Sequence, residues 1–171
     1  MRIAGIRAGE LRSQRLHLEP LRVEDAVEMA ALLDDVDLHA FIGGQPATPE
    51  ELRHRYELMV TGRSPDGWEI WLNWIVRRTD DGQAVGTVQA TVTVLDGHPT
   101  ADIAWVIATA HQRRGYAREA ARAMVDWLRE RQVDVVVAFV HPGHKASQAV
   151  ARAVGLAPTS VVADGEVRWL G

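Results

Sequence analysis

Hydrophobic positions change their period several times along this chain, and each change marks an element. Across residues 15–19, Leu16 and Leu18 alternate with polar neighbours, which predicts a short strand running into Pro20. Ala26, Met29, Ala30 and Leu33 then fall at helical spacing. The acidic cluster Asp34, Asp35 and Asp37 ends that helix, either as a solvated turn or as an attractant for a cationic substrate. After the loop Gly43–Gly44–Gln45–Pro46, Thr48–Pro49–Glu50–Glu51 places Thr at the N-cap, Pro at N1 and Glu at N3 of a second helix. Leu52, Tyr56 and Met59 line one face of it, and Gly62 closes it.

Trp68, Trp71 and Trp74 are spaced by three, yet Ile70, Leu72, Trp74 and Val76 alternate cleanly against Glu69, Trp71 and Asn73, so the segment 68–76 is expected to be a strand. Asp80–Asp81–Gly82 is a hairpin signal, and the Val- and Thr-rich run 84–95 is the partner strand. A further strand over 100–107 completes a three-strand meander.

Ala117, Ala120, Ala121, Met124 and Leu128 then mark the buried face of a long helix, with Arg118, Arg122 and Arg129 outside. Residues 133–140 hardly alternate, as expected of a strand covered on both faces. A last helix follows, with Ala146, Ala149, Val150, Ala153 and Val154 inward and Gly155 as its stop. Val161 and Val167 flank Asp164–Gly165 in a closing hairpin. The order predicts a mixed α+β sheet with flanking helices. No repeat or linker divides residues 1–171, so one domain is expected, with an ordered core from about residue 11.

Composition narrows the chemistry. There is no cysteine, which removes disulfides, a thiol nucleophile and thiolate zinc sites. Nineteen basic against 23 acidic residues give a formal net charge of −4, contrary to the basic footprint of most nucleic-acid binders and mildly in favour of a cationic acceptor. The stretch Met1–Gln14 interleaves charges and leaves no apolar core for a signal peptide, and the longest purely apolar run, 135–140, is far short of a membrane span. No membrane partner and a cytoplasmic location are expected; homodimerisation is left open.

The chemistry-bearing segment is Ile107-Ala-Thr-Ala-His-Gln-Arg-Arg-Gly-Tyr-Ala117, between a strand and a helix. The first N–H groups of a helix have no internal partner, and a glycine lets an anion approach them. Arg113 and Arg114 add charge. By itself Gln112-x-x-Gly115-x-Ala117 is either a phosphate cradle or a plain helix start with Gly115 in a tight turn. It is neither a Walker loop nor a good dinucleotide fingerprint.

Together with His141-Pro-Gly-His-Lys-Ala-Ser-Gln148 downstream and Arg15-Leu-His-Leu-Glu-Pro-Leu21 upstream, this segment resembles the GCN5-related N-acetyltransferase (GNAT) family, in particular the ribosomal-protein alanine and serine N-acetyltransferase branch. The resemblance implies a GNAT-like domain whose mostly antiparallel sheet is splayed between strands 4 and 5, here 100–107 and 135–140, with acetyl-CoA wedged between them. It implies that Val106 and Ile107 present backbone groups to the pantetheine arm, and that one of those N–H groups stabilises the developing oxyanion, an effect worth about 3–4 kcal/mol of barrier. Gln112, Arg113, Arg114, Gly115, Tyr116 and Ala117 would hold the pyrophosphate. His144 to Ser147 would contact pantetheine, with Ser147 near the sulfur as proton donor or thiol contact, or else simply capping a helix. Asp102 occupies a strand position where relatives often carry Glu, and would take the amine proton through water, unless it is merely an outward polar residue. Three departures stand out: Ala151 occupies the position of a general-acid Tyr, His144 that of a common Asn, and Asp102 is one methylene short.

The implied activity is direct transfer of acetyl from acetyl-CoA to a primary amine: a protein N-terminus, an aminoglycoside or another small-molecule amine. The alternative is a non-catalytic acyl-CoA-binding module; an ATP- or NAD-binding domain is a further rival. No metal is expected: His141 and His144 lie three apart but lack nearby carboxylate partners. His141 is expected to order its loop, and His98 and His111 are remote candidates for acid–base work. Trp71 and Asn73 either line the acceptor site or, for Trp71, belong to ordinary core.

Overall fold

The computed structural model describes residues 5–171. Residues 1–4, part of the charged N-terminal stretch, lie outside the described residues. In chain order the elements are β1 (Leu11–Arg12), β2 (Leu16–Pro20), α1 (Asp25–Leu32), α2 (Val36–Ile42), α3 (Pro49–Met59), β3 (Ile70–Arg78), β4 (Ala84–Leu95), β5 (His98–Ile107), α4 (Tyr116–Glu130), β6 (Val135–Val140), α5 (Lys145–Ala153), β7 (Ala157–Ala163) and β8 (Glu166–Leu170). The strands form one sheet in the order β1-β2-β3-β4-β5-β6-β8-β7. Every neighbouring pair is antiparallel except β5 with β6.

Alternation sorts the meander into two faces. Trp74, Val88 and Trp105 share one row, and Leu72, Ala90 and Ile103 the next. This face packs on α4 through Ala120, Ala121, Met124 and Leu128, all fully buried. Trp74 meets Trp127 edge-on, ring centres 5.4 Å apart, and donates its indole N–H to the Gly9 carbonyl at 2.7 Å. The opposite face carries Ile75, which packs with α1 and α3 through Met29, Leu52 and Tyr56. Arg77, on that same face, holds α1 in place with ion pairs to Glu28 at 2.7 Å and Asp25 at 3.4 Å, and also pairs with Glu19 of β2 at 3.0 Å.

Several expectations are corrected. Asp34–Asp37 is no simple turn: Asp35 caps a new helix, α2, its carboxylate accepting the Asp37 N–H at 2.9 Å. In α5 the buried residues are Val150 and Ala151, while Ala146 and Ala149 face outward. The sheet also begins one short strand earlier, at β1, so the expected splay falls between β5 and β6. The Thr48 cap stands as read, its hydroxyl accepting the Glu51 N–H at 3.1 Å.

Candidate functional site

The parallel pairing of β5 with β6 covers only Thr100–Val135, Ala101–Val136 and Asp102–Val137. Beyond Asp102 the two strands part: β6 continues along β8, while residues 103–107 keep only β4 as a strand neighbour. The cause is local. Gly86 in β4 faces Ile107, and a Cβ there would overlap the Val106 carbonyl oxygen and lie 2.9 Å from Ile107 Cα. A glycine thus admits a backbone approach that a side chain would block.

At the open end of β5, a 3-10 turn (Thr109–His111) leads into the loop before α4. Arg113 (φ 65°) and Gly115 (φ 80°) both adopt left-handed backbone. Glycine takes this conformation freely, whereas Arg113 is held in it against its preference, as residues of ligand-holding loops often are. Gly115 is the N-cap of α4 and brings no capping side chain, so the unpaired first-turn N–H groups face outward. Arg113 and Arg114 are exposed and carry no ion pair among the described residues. Loop, helix dipole and free guanidinium groups fit a pyrophosphate. Tyr116 points the other way, into the core, and Ala117 is half-buried. The Gln112 side chain folds back and donates to the Ile107 carbonyl at 2.9 Å, so it ties the loop to the strand.

Two residues not anticipated for this site hold the loop from outside. Arg15 donates to the Arg114 carbonyl at 2.8 Å and to Glu119 at 2.7 Å, and its guanidinium lies 4.7 Å from the centre of the Tyr116 ring. Glu119 also accepts from Ser13 and from the Arg15 backbone. Burial alone would raise the Glu119 pKa, but these hydrogen bonds outweigh it and leave the carboxyl below its ordinary value.

At the start of α5, His144 is the N-cap, its Nδ1 accepting the Ser147 N–H at 3.2 Å. Burial, aided by His141, lowers the His144 pKa and so favours the neutral ring that this bond needs. His141 likewise accepts the Gly143 N–H at 2.9 Å and orders its loop. Capping thus falls to His144, and the half-buried Ser147 hydroxyl makes no hydrogen bond among the described residues. Ser147 lies one turn before Ala151, which is fully buried.

Asp102 lies where β5 and β6 part, on the sheet face opposite α4. Its side chain reaches solvent, yet enough protein crowds its carboxyl that burial raises the pKa, with Glu166 adding to the shift and Arg168 opposing it. On that same face, under α1, α2 and α3, is a cavity of about 310 Å³. Its floor is Asn73, Thr87, Gln89 and Val106; Leu52 and Met59 are among its apolar walls. A second hollow of about 200 Å³, lined in part by Trp71, shares Leu21, Met59 and Asn73 with it. Trp71 is therefore on the cavity side and not in the α4 core. Asp102 stands one row further along the face than Gln89 and Ala104, and it does not line the main cavity. Thr87 and Gln89 were missed in the sequence; their alternation with the buried Val88 and Ala90 was the available signal.

The family model "Acetyltransferase (GNAT) domain" matches residues 15–157. The chain belongs to the GNAT family. Acetyl transfer is that family's general activity, with acetyl-CoA as the implied donor. A curated relative, the uncharacterized protein YkkB of Bacillus subtilis (strain 168), is 28% identical over 149 residues, covering 86% of this chain and 84% of its own. Among solved structures, the GNAT fold is shared with the ribosomal L7/L12 alpha-N-protein acetyltransferase RimL in complex with coenzyme A (TM-score 0.78, 13% identity, 95% and 97% of the two chains). It is also shared with ribosomal-protein-S5-alanine acetyltransferase from Vibrio fischeri (TM-score 0.74, 19% identity, 95% and 94%). Among the described residues no helix of this GNAT protein is long and apolar enough to cross a membrane.

Proposed function

We propose that residues 11–171 act as one acetyl-CoA-dependent N-acetyltransferase unit, transferring acetyl directly to a primary amine. The observation that carries this reading is the position of Val106. Its strand runs along the gap beside β6, and the same residue forms part of the cavity floor, so donor and acceptor spaces meet there.

The donor supplies an electrophilic thioester. The open edge of residues 103–107 would pair with an extended arm as a sheet pairs with an added strand. The loop 112–117 holds the diphosphate, with Arg15 and Glu119 keeping the loop in shape. A backbone N–H at Val106 or Ile107 is suited to stabilise charge developing on the acyl oxygen. The acceptor nitrogen forms a C–N bond as the C–S bond breaks; it loses one proton and the departing thiolate gains one. Asp102, through water, is the candidate for the first proton, and the unengaged Ser147 hydroxyl for the second. Ala151, a buried methyl group, supplies no proton at its own position in α5.

The test is release of free CoA thiol from acetyl-CoA in the presence of a panel of primary amines. Amine-dependent release with formation of the N-acetyl product supports the assignment. Tight acetyl-CoA binding without turnover of any amine would instead identify an acyl-CoA-binding module.

A further inference from the structure

The charge of the cavity is opposite in sign to that of the chain. Although the net charge is −4, none of the described residues lining either hollow is Asp or Glu. The face of α3 turned to the main cavity presents Leu52, Arg55, Tyr56 and Met59, the i, i+3, i+4, i+7 stripe of one helix side. Three of these are apolar or aromatic. Arg55 is a full positive charge.

The neighbours of Arg55 are already occupied. Arg53 pairs with Glu57 at 3.4 Å, and His54 lies 3.6 Å from the same carboxylate. Arg55 has no ion-pair partner among the described residues, and Asp25, the buried carboxylate that acts on neighbouring Tyr56, is engaged by Arg77 and Arg22. Tyr56 itself is pushed up to about 12, first by burial and then by Asp25, so it remains a neutral hydrogen-bond donor. The rest of the wall offers no carboxylate; its polar groups are those of Asn73, Thr87, Gln89 and His39. The adjoining hollow adds Arg7 and Arg63 and again no carboxylate.

From this arrangement we infer that the acceptor is an amine with a compact apolar body and a carboxylate, and that Arg55 binds the carboxylate. The inference rests on the acetyl-transfer reading and specifies its acceptor. A guanidinium beside apolar walls forms a charge-assisted, two-pronged pair with a carboxylate, which a neutral amide cannot reproduce. A polycation such as an aminoglycoside or polyamine finds no anionic group in the cavity and is repelled by Arg55. With no carboxylate in the cavity lining, the reacting nitrogen has no direct anionic partner there, and its proton passes through water to Asp102. A volume near 310 Å³ suits a body the size of a large side chain.

The experiment compares matched pairs under the CoA-release assay: 4-(aminomethyl)benzoate against 4-(aminomethyl)benzamide, and leucine and phenylalanine against their carboxamides, with spermidine as the polycation. The expected result is a kcat/KM at least about tenfold higher for the carboxylate members, expressed mainly in KM. Arg55→Gln should bring the ratio within each pair close to one, and Arg55→Lys should retain part of it. Better turnover of carboxamides or spermidine, or an unchanged ratio in Arg55→Gln, overturns the inference while leaving acetyl transfer intact. Failure of the wild-type chain to bind acetyl-CoA at all would remove both.

Discussion

Arg15 and Glu119 are 104 residues apart in the chain, yet the guanidinium of one donates to the carboxylate of the other at 2.7 Å. The same guanidinium holds the Arg114 carbonyl, so a turn between two N-terminal strands fixes the loop that precedes α4. Arg15 touches no reacting atom; it is a positioning residue. Arg15→Ala should raise KM for acetyl-CoA by several-fold with little change in kcat, and Arg15→Lys should restore only part of the affinity. The stability loss should be about 1–2 kcal/mol. Because the Glu119 pKa is lowered in the folded chain, its contribution is present above its ordinary value of 4.5 and is lost as pH falls through the folded one. Glu119→Gln should therefore unfold more readily than the parent at pH 7, with the difference closing on acidification.

Gly86 allows the close approach of β4 to the Val106–Ile107 backbone. A methyl group there must displace the backbone at Val106 or Ile107. Gly86→Ala is expected to lose about 1–3 kcal/mol of stability, and acetyl-CoA affinity should drop as well, read by thermal unfolding and calorimetry. Unchanged affinity would separate the glycine from the cofactor edge.

Replacing Asp102 should move stability and activity in opposite directions. Its raised pKa means the folded chain holds that proton more tightly than the unfolded one, so stability declines as pH rises above about 3.8 through the folded value. Asp102→Asn removes that penalty and should unfold at a slightly higher temperature at neutral pH. As a general base its loss should lower kcat by about 100-fold or more, and the parent's rate should fall on the acid side as the carboxylate is protonated. An undiminished kcat would dismiss it from the reaction.

His111 sets an acid limit. It is 8% exposed, its Nδ1 is buried without a hydrogen-bond partner among the described residues, and burial together with Arg114 and Arg78 lowers its pKa. The unfolded chain therefore takes up this proton first, and stability is lost as pH falls below about 6.5 toward the folded value. His111→Phe should flatten the dependence of the melting temperature on pH between 5 and 7.

What could be read from the sequence was what is local. Thr48 caps its helix through a residue three positions away, and the two faces of β3–β5 follow from alternation within each strand. Asp34–Asp37 misled because the same residues that end α1 also begin α2, with Asp35 as its cap. Ala146 and Ala149 misled because alanine suits a helix surface as well as a core. The Arg15–Glu119 bond and the cavity's charge were out of reach: both arise where segments far apart in the chain come together. The net charge of −4 therefore pointed toward a cation, whereas the side chains around the cavity point toward an anion.

The short parallel register of β5 with β6 has a consequence for handling the protein. A run of strand without a strand neighbour on one side is a template for another copy's backbone. Occupying that gap with coenzyme A would do more than prepare a reaction: at a hundredfold excess over Kd it would add about 2.7 kcal/mol to folding and mask the adhesive edge. Preparations stripped of coenzyme A are thus expected to clump first, which makes cofactor saturation a determinant of colloidal shelf life.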